Sequence, residues 1–100
     1  MPGIDYGAIR RDIPILEALV ALGWEPTRRA GSQARGDCPV CGASRCFAVA
    51  IDKNRYHCHR CRSAGNTLEL WMAARNLDLY PAAVDLCETL GRPIPTISRW

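Results

Sequence analysis

The spacing of apolar residues changes along the chain, and each change marks a different kind of element. Over residues 12–23, Ile15, Leu16, Leu19, Val20 and Leu22 recur at helical spacing, with Asp12 available as a cap, Pro14 tolerated in the first turn and Gly23 as a stop. From Trp24 to Arg29 and from Gln33 to Asp37 the chain reads as extended around Gly31-Ser32, which predicts a hairpin. Cys46 to Ile51 alternates apolar and small residues, Asp52-Lys53-Asn54 supplies a turn, and Arg55 to Cys58 returns as a second hairpin. Helical spacing then resumes. Asn66 can cap a helix with Glu69 at N3, carrying Leu68, Leu70, Trp71, Met72 and Leu77. Tyr80-Pro81 opens a last helix with Val84, Leu86, Cys87 and Leu90 inward and Gly91 at its end.

The pattern divides the chain into an arm at 1–11, one domain at 12–91 and a tail at 92–100. The tail holds Pro93 and Pro95 without periodicity, as a linker, a partner strand or the cut end of a longer chain.

Four cysteines give the middle of the chain its chemistry. Cys38, Cys41, Cys58 and Cys61 form C-x2-C-x16-C-x2-C. Each C-x2-C pair can turn both thiolates toward one ion, and the spacer is long enough for a hairpin that brings the second pair opposite the first. The pattern predicts one Zn2+, and four thiolates fill its tetrahedron, so the metal is structural and leaves no place for water or substrate. A zinc deaminase needs H-x-E ahead of P-C-x-x-C, which is absent. A thioredoxin-type pair needs a single C-x-x-C in a βαβ unit. The fold class expected is α+β: a zinc ribbon, meaning a small antiparallel sheet with two zinc knuckles, flanked by an N-terminal helix and two C-terminal helices. Cys46 and Cys87 read as buried thiols, and His57 and His59 as groups beside the site or on the surface.

A chain of 100 residues buries a limited core, and structural zinc adds about 10 kcal/mol or more of folding free energy. Metal-spaced cysteines, with no signal-peptide core and no apolar run of about 18 residues, point to a soluble cytoplasmic protein and away from a membrane. The formal charge of +3 says little by itself. Its distribution says more: residues 28–62 hold Arg28, Arg29, Arg35, Arg45, Lys53, Arg55, Arg60 and Arg62 against Asp37 and Asp52, while both flanks are net acidic. Cations grouped beside the metal suit a polyanion, whose counterions they displace, and equally suit a hairpin kept soluble by its charge.

Taken in order, the helix ending at Leu22-Gly23, Arg35-Gly36-Asp37-Cys38-Pro39, Phe47-Ala48-Val49, Tyr56-His57-Cys58, Cys61, Gly65-Asn66 and the run from Tyr80-Pro81 to Leu90-Gly91 resemble the zinc-binding domain of bacterial DnaG-type DNA primases and their phage and plasmid relatives. The resemblance covers roughly residues 10–95. Cellular members usually place His where this chain has Cys41, so the all-Cys set is similar to that of phage-type primases. His59, Arg60, Arg62 and Ser44-Arg45-Cys46 depart from the family pattern.

The resemblance implies a non-catalytic module that binds single-stranded DNA template and supports primer initiation in replication. Its partners would be a primase catalytic domain or a helicase, in cis or in trans. Primer synthesis needs clustered carboxylates holding Mg2+, and the acidic residues here are scattered. The expected DNA-contacting residues are Arg28, Arg29, Arg35, Arg55, Arg60 and Arg62 at phosphates, with Tyr56 and His59 stacking on bases. Phe47, Trp24 and Trp71 read as core. The alternative is a protein-interaction ribbon that docks a replication or transposition protein through its helices.

Overall fold

Ile13 precedes Pro14, and conflict with the proline ring pushes such a residue toward extended backbone. In the computed structural model, which describes residues 3–97, Ile13 lies at φ −95°, ψ 113° and separates two short helices, α1 (Tyr6–Asp12) and α2 (Ile15–Ala21). This corrects the single helix expected from Asp12: Asp12 ends α1, and Pro14 is the N-cap of α2. Asp5 caps α1 by accepting from the Ala8 N–H at 3.1 Å.

Before α1, β1 (Gly3–Ile4) pairs antiparallel with β7 (Thr96–Ile97). Residues 3–11 of the arm and 92–97 of the tail therefore lie against each other and against the helices, with Ile4, Tyr6 and Ile94 packed on the core. Residues 1, 2 and 98–100 of that arm and tail lie outside the described residues.

The centre is a five-stranded antiparallel sheet in chain order: β2 (Arg28–Ala30), β3 (Gln33–Gly36), β4 (Phe47–Ala50), β5 (Arg55–Cys58) and β6 (Ala64–Asn66). The sequence pattern located β2 to β5. Strand β6 has no signature in the sequence, because three residues including a glycine carry no period of two. Helices α3 (Thr67–Arg75) and α4 (Leu79–Leu90) follow. The capping box expected at Asn66 and Glu69 is formed. Gly91, at φ 67°, ends α4 and lets the Arg92 N–H reach the Cys87 carbonyl at 2.9 Å.

Alternation along the strands sorts the sheet into two faces. Ala34, Phe47, Val49, Tyr56 and Cys58 face inward with Ile15, Leu19, Trp24 and Leu70. A second core lies among the helices, built from Ile9, Ile13, Ala18, Leu68, Trp71, Ala83, Leu86 and the Cys87 thiol. Phe47, Trp24, Trp71 and Cys87 are thus core residues, as expected.

Candidate metal centre and nucleic-acid face

Both knuckles fold by the same local pattern. In the first, the N–H groups of Val40 and Cys41 point at the Cys38 Sγ, at 3.3 and 3.4 Å. In the second, those of Arg60 and Cys61 point at the Cys58 Sγ, both at 3.4 Å. The Gly42 N–H bonds to the Cys38 carbonyl and the Arg62 N–H to the Cys58 carbonyl, at 2.9 and 3.0 Å, which closes each turn one residue past its second cysteine. That position needs a left-handed backbone: Gly42 lies at φ 75° and Arg62 at φ 62°.

The four sulfurs converge within 4.8 Å of one another. Cys38 to Cys61 is 3.9 Å and Cys41 to Cys58 is 3.8 Å. A tetrahedral zinc with bonds of about 2.3 Å sets its sulfurs about 3.8 Å apart, so the thiol set fits the ion. Burial pushes the Cys38 thiol up to about 12. At Cys58 burial acts in the same direction, but the N–H groups of Cys61 and Arg60 and the Cys46 thiol outweigh it and bring the group down to about 6. One sulfur is thereby ready as a thiolate, and a bound cation would draw the others with it.

Cys46 is a fifth thiol at the centre. It is half-buried, with its sulfur 3.4 Å from that of Cys58 and 3.3 Å from the Ala43 carbonyl oxygen. Burial, and then the neighbouring Cys58 sulfur, hold it up at about 11. A thiol that keeps its proton suits a hydrogen bond to the Cys58 sulfur, and its distance is shorter than a tetrahedral edge, so it sits beside the ligand set.

Arg28, Arg35 and Arg55 lie on the opposite, outward side of the sheet. The register aligns Arg28, Arg35, Ala48, His57 and Ala64 across one row, and Ala30, Gln33, Ala50, Arg55 and Asn66 across the next. The β3–β6 part of these rows forms a shallow trough of about 350 Å³, with Ala48, Ala50 and Ala64 in its lining and Gln33, Arg55 and His57 around it, while Arg28 and Arg35 lie outside it. His59 on the second knuckle meets His57 edge to face at 4.7 Å, and both are exposed with Arg60 and Arg62.

Two expected DNA contacts fall elsewhere. Tyr56 is 4 % exposed, stacked on Phe47 at 5.5 Å between ring centroids, and its hydroxyl lies 2.7 Å from that of Ser63. A base cannot stack on it, because its strand position turns it inward. Arg29 pairs with Ala34 and so lies on the other side of β2 from Arg28. His57 and Arg45 were not among the expected contacts. The period of two that groups His57 with Arg55 could have found the first. Arg45 comes to Arg28 and Arg35 only through tertiary folding.

The fold and site define a zinc ribbon capped by helices, with a sulfur-lined structural metal site and a basic outer face. The model of the CHC2 zinc finger, the zinc ribbon of DnaG primases, matches residues 9–99, and the chain belongs to that family. Among solved structures it is similar to the Aquifex aeolicus primase, in a crystal structure of its zinc-binding and RNA polymerase domains. The TM-score is 0.72 at 22% identity, covering 92% of this chain and 23% of the Aquifex chain. No curated protein matches the chain. The protein is a primase-related zinc domain, and a domain of this kind is not itself catalytic. Among the described residues, no helix is long and apolar enough to cross a membrane.

Proposed function

We propose that this domain binds the single-stranded template of a primase across the outward face of its sheet and so supports primer initiation. The carrying observation is the separation of paired from unpaired charge. Among the described residues the ion pairs are Arg10–Glu69, Arg11–Asp12, Arg75–Asp85 and Arg92–Glu17, all on helices or the segment after α4. Arg28, Arg35, Arg55, Arg60 and Arg62, on the sheet and second knuckle, enter none of them. Unpaired guanidinium groups beside an alanine-lined trough suit a strand whose phosphates take the arginines while its bases lie on the apolar strip. His57 and His59 offer the exposed rings for stacking. Arg29 can reach phosphate only around the edge of β2.

Fluorescence anisotropy of a labelled single-stranded oligonucleotide, with duplex of the same sequence as control, tests this at several salt concentrations. Single-strand preference with a steep salt dependence is the expected result. No binding at low salt would remove the template reading.

A second reading has its own support. Val20 on α2 and Tyr80 on α4 are 71% and 62% exposed, and Tyr80 lies with Leu77, Pro81 and Val84 around a shallow concavity. Exposed apolar side chains on the helices suit docking of a catalytic domain, a helicase or another replication or transposition protein.

A further inference from the structure

Arg28 stands directly opposite Arg35 in the β2–β3 register, on the same side of the sheet. Like charges at facing positions destabilise a strand pair. Arg45, arriving from the loop after the first knuckle, joins them around an open hollow of about 450 Å³ whose fourth lining residue is Thr27. Arg45 also holds a left-handed backbone, φ 57°, a strained conformation for a residue with a side chain. Asp37 makes no ion pair with the three: its Oδ1 accepts from the Arg45 backbone N–H at 3.2 Å, and among the described residues none of the three arginines enters an ion pair.

We propose that Thr27, Arg28, Arg35 and Arg45 form a site for a terminal, multiply charged phosphate group. Three guanidinium groups exceed the single charge of a backbone phosphodiester, and they match a terminal phosphate monoester or a polyphosphate chain. Two sources carry that chemistry: a free nucleoside triphosphate and the phosphorylated 5′ end of a nucleic-acid strand. The site shares Arg28 and Arg35 with the template face but takes a different ligand, so each reading can fail without the other.

Isothermal titration of the zinc-loaded chain with tripolyphosphate, ATP and adenosine tests the site. Oligonucleotides bearing either a 5′-phosphate or a 5′-hydroxyl complete the set. Tripolyphosphate and ATP are expected to bind and adenosine to give no heat. Arg45→Asn, which tolerates the left-handed backbone, should weaken both by about tenfold or more, with Arg35→Gln acting likewise. Zinc content and circular dichroism confirm that both variants are folded. A 5′-phosphate advantage over the 5′-hydroxyl strand that disappears in Arg45→Asn assigns the site to strand ends; an effect confined to ATP assigns it to free nucleotides. Tripolyphosphate that does not bind, or that binds wild type and both variants equally, overturns the site. Binding of the 5′-hydroxyl strand reports separately on the template face.

Discussion

The Asn54 carboxamide donates to the Ile13 carbonyl oxygen at 2.7 Å, tying the tip of the β4–β5 hairpin to the break between α1 and α2. The same side chain accepts from the Ile15 N–H at 2.6 Å, and its amide nitrogen also donates toward the Thr67 hydroxyl at 3.0 Å, a bond shared with the Arg10 carbonyl at 3.2 Å. Asn54 thus serves backbone groups on both sides of Pro14. Asn54→Gly keeps the left-handed turn, φ 57°, and removes only these bonds. The Ile13 carbonyl still receives the Thr67 hydroxyl at 2.9 Å, whereas the Ile15 N–H is left without a protein acceptor. The expected loss is about 3 kcal/mol of stability with zinc content unchanged, measured by urea unfolding and metal analysis.

The centre predicts different outcomes for two neighbouring thiols. Cys58→Ser should abolish zinc binding, because Cys58 is both a ligand and a buried residue of β5. Cys46→Ser should retain one zinc per chain, since its sulfur lies beside the four that converge. Metal analysis of the two purified variants separates these cases, and loss of zinc from Cys46→Ser would make the fifth thiol a ligand.

Chelation of the metal should act unevenly. The knuckles anchor the sheet, whereas the second core among the helices contains no zinc ligand. Adding a strong chelator should melt the sheet while part of the helical signal at 222 nm persists. Complete retention of near-ultraviolet signals from Trp24, which packs on Phe47 at 5.5 Å, would contradict a structural role for the metal.

Arg62 occupies the turn position that glycine fills in the other knuckle, so its side chain is kept at a conformational cost. Arg62→Gly should leave stability unchanged or raised by up to about 1 kcal/mol. The same change should lower oligonucleotide affinity and reduce its salt slope by about one. Anisotropy titrations paired with thermal melts measure both effects, and unchanged affinity would take Arg62 off the binding surface.

Gly36 lies against the indole of Trp24. A Cβ there would come within 2.9 Å of the ring and 3.3 Å of the Glu25 carbonyl oxygen. The ring is pinned in turn by its Nε1–H, which donates to the Asp37 carbonyl at 2.6 Å. Gly36→Ala is therefore expected to cost about 1–3 kcal/mol, read from urea midpoints.

Features written in short stretches of chain were legible in the sequence, and those made by distant approach were not. The knuckles, the β4–β5 hairpin, the Asn66 cap and the Gly91 stop each depend on neighbours within a few residues. The break at Ile13 was also local, but the apolar run masked the effect of Pro14. Helix α1, with Ala8 and Ile9 as its buried residues, is too short to show a period. Asn54 appeared only as a turn residue, because its partners lie 13 to 44 positions away. The metal ligands were legible from spacing. The residues of the outward basic face were only partly so, since Tyr56 and Arg29 needed the strand register to be placed.

The β4–β5 hairpin is fastened at both ends by unrelated chemistries, with thiolates at one end and the Asn54 amide at the other. Its strands also carry Arg55 and His57 on the outward face. A two-stranded bar clamped in this way cannot shear or splay without breaking one of its fastenings. The spacing of the backbone positions that carry Arg55 and His57 is then held by the hairpin, like the marks on a gauge. In the binding mode proposed above, a flexible strand laid against it supplies the adjustment, and the entropy of fitting falls on the nucleic acid rather than on the domain.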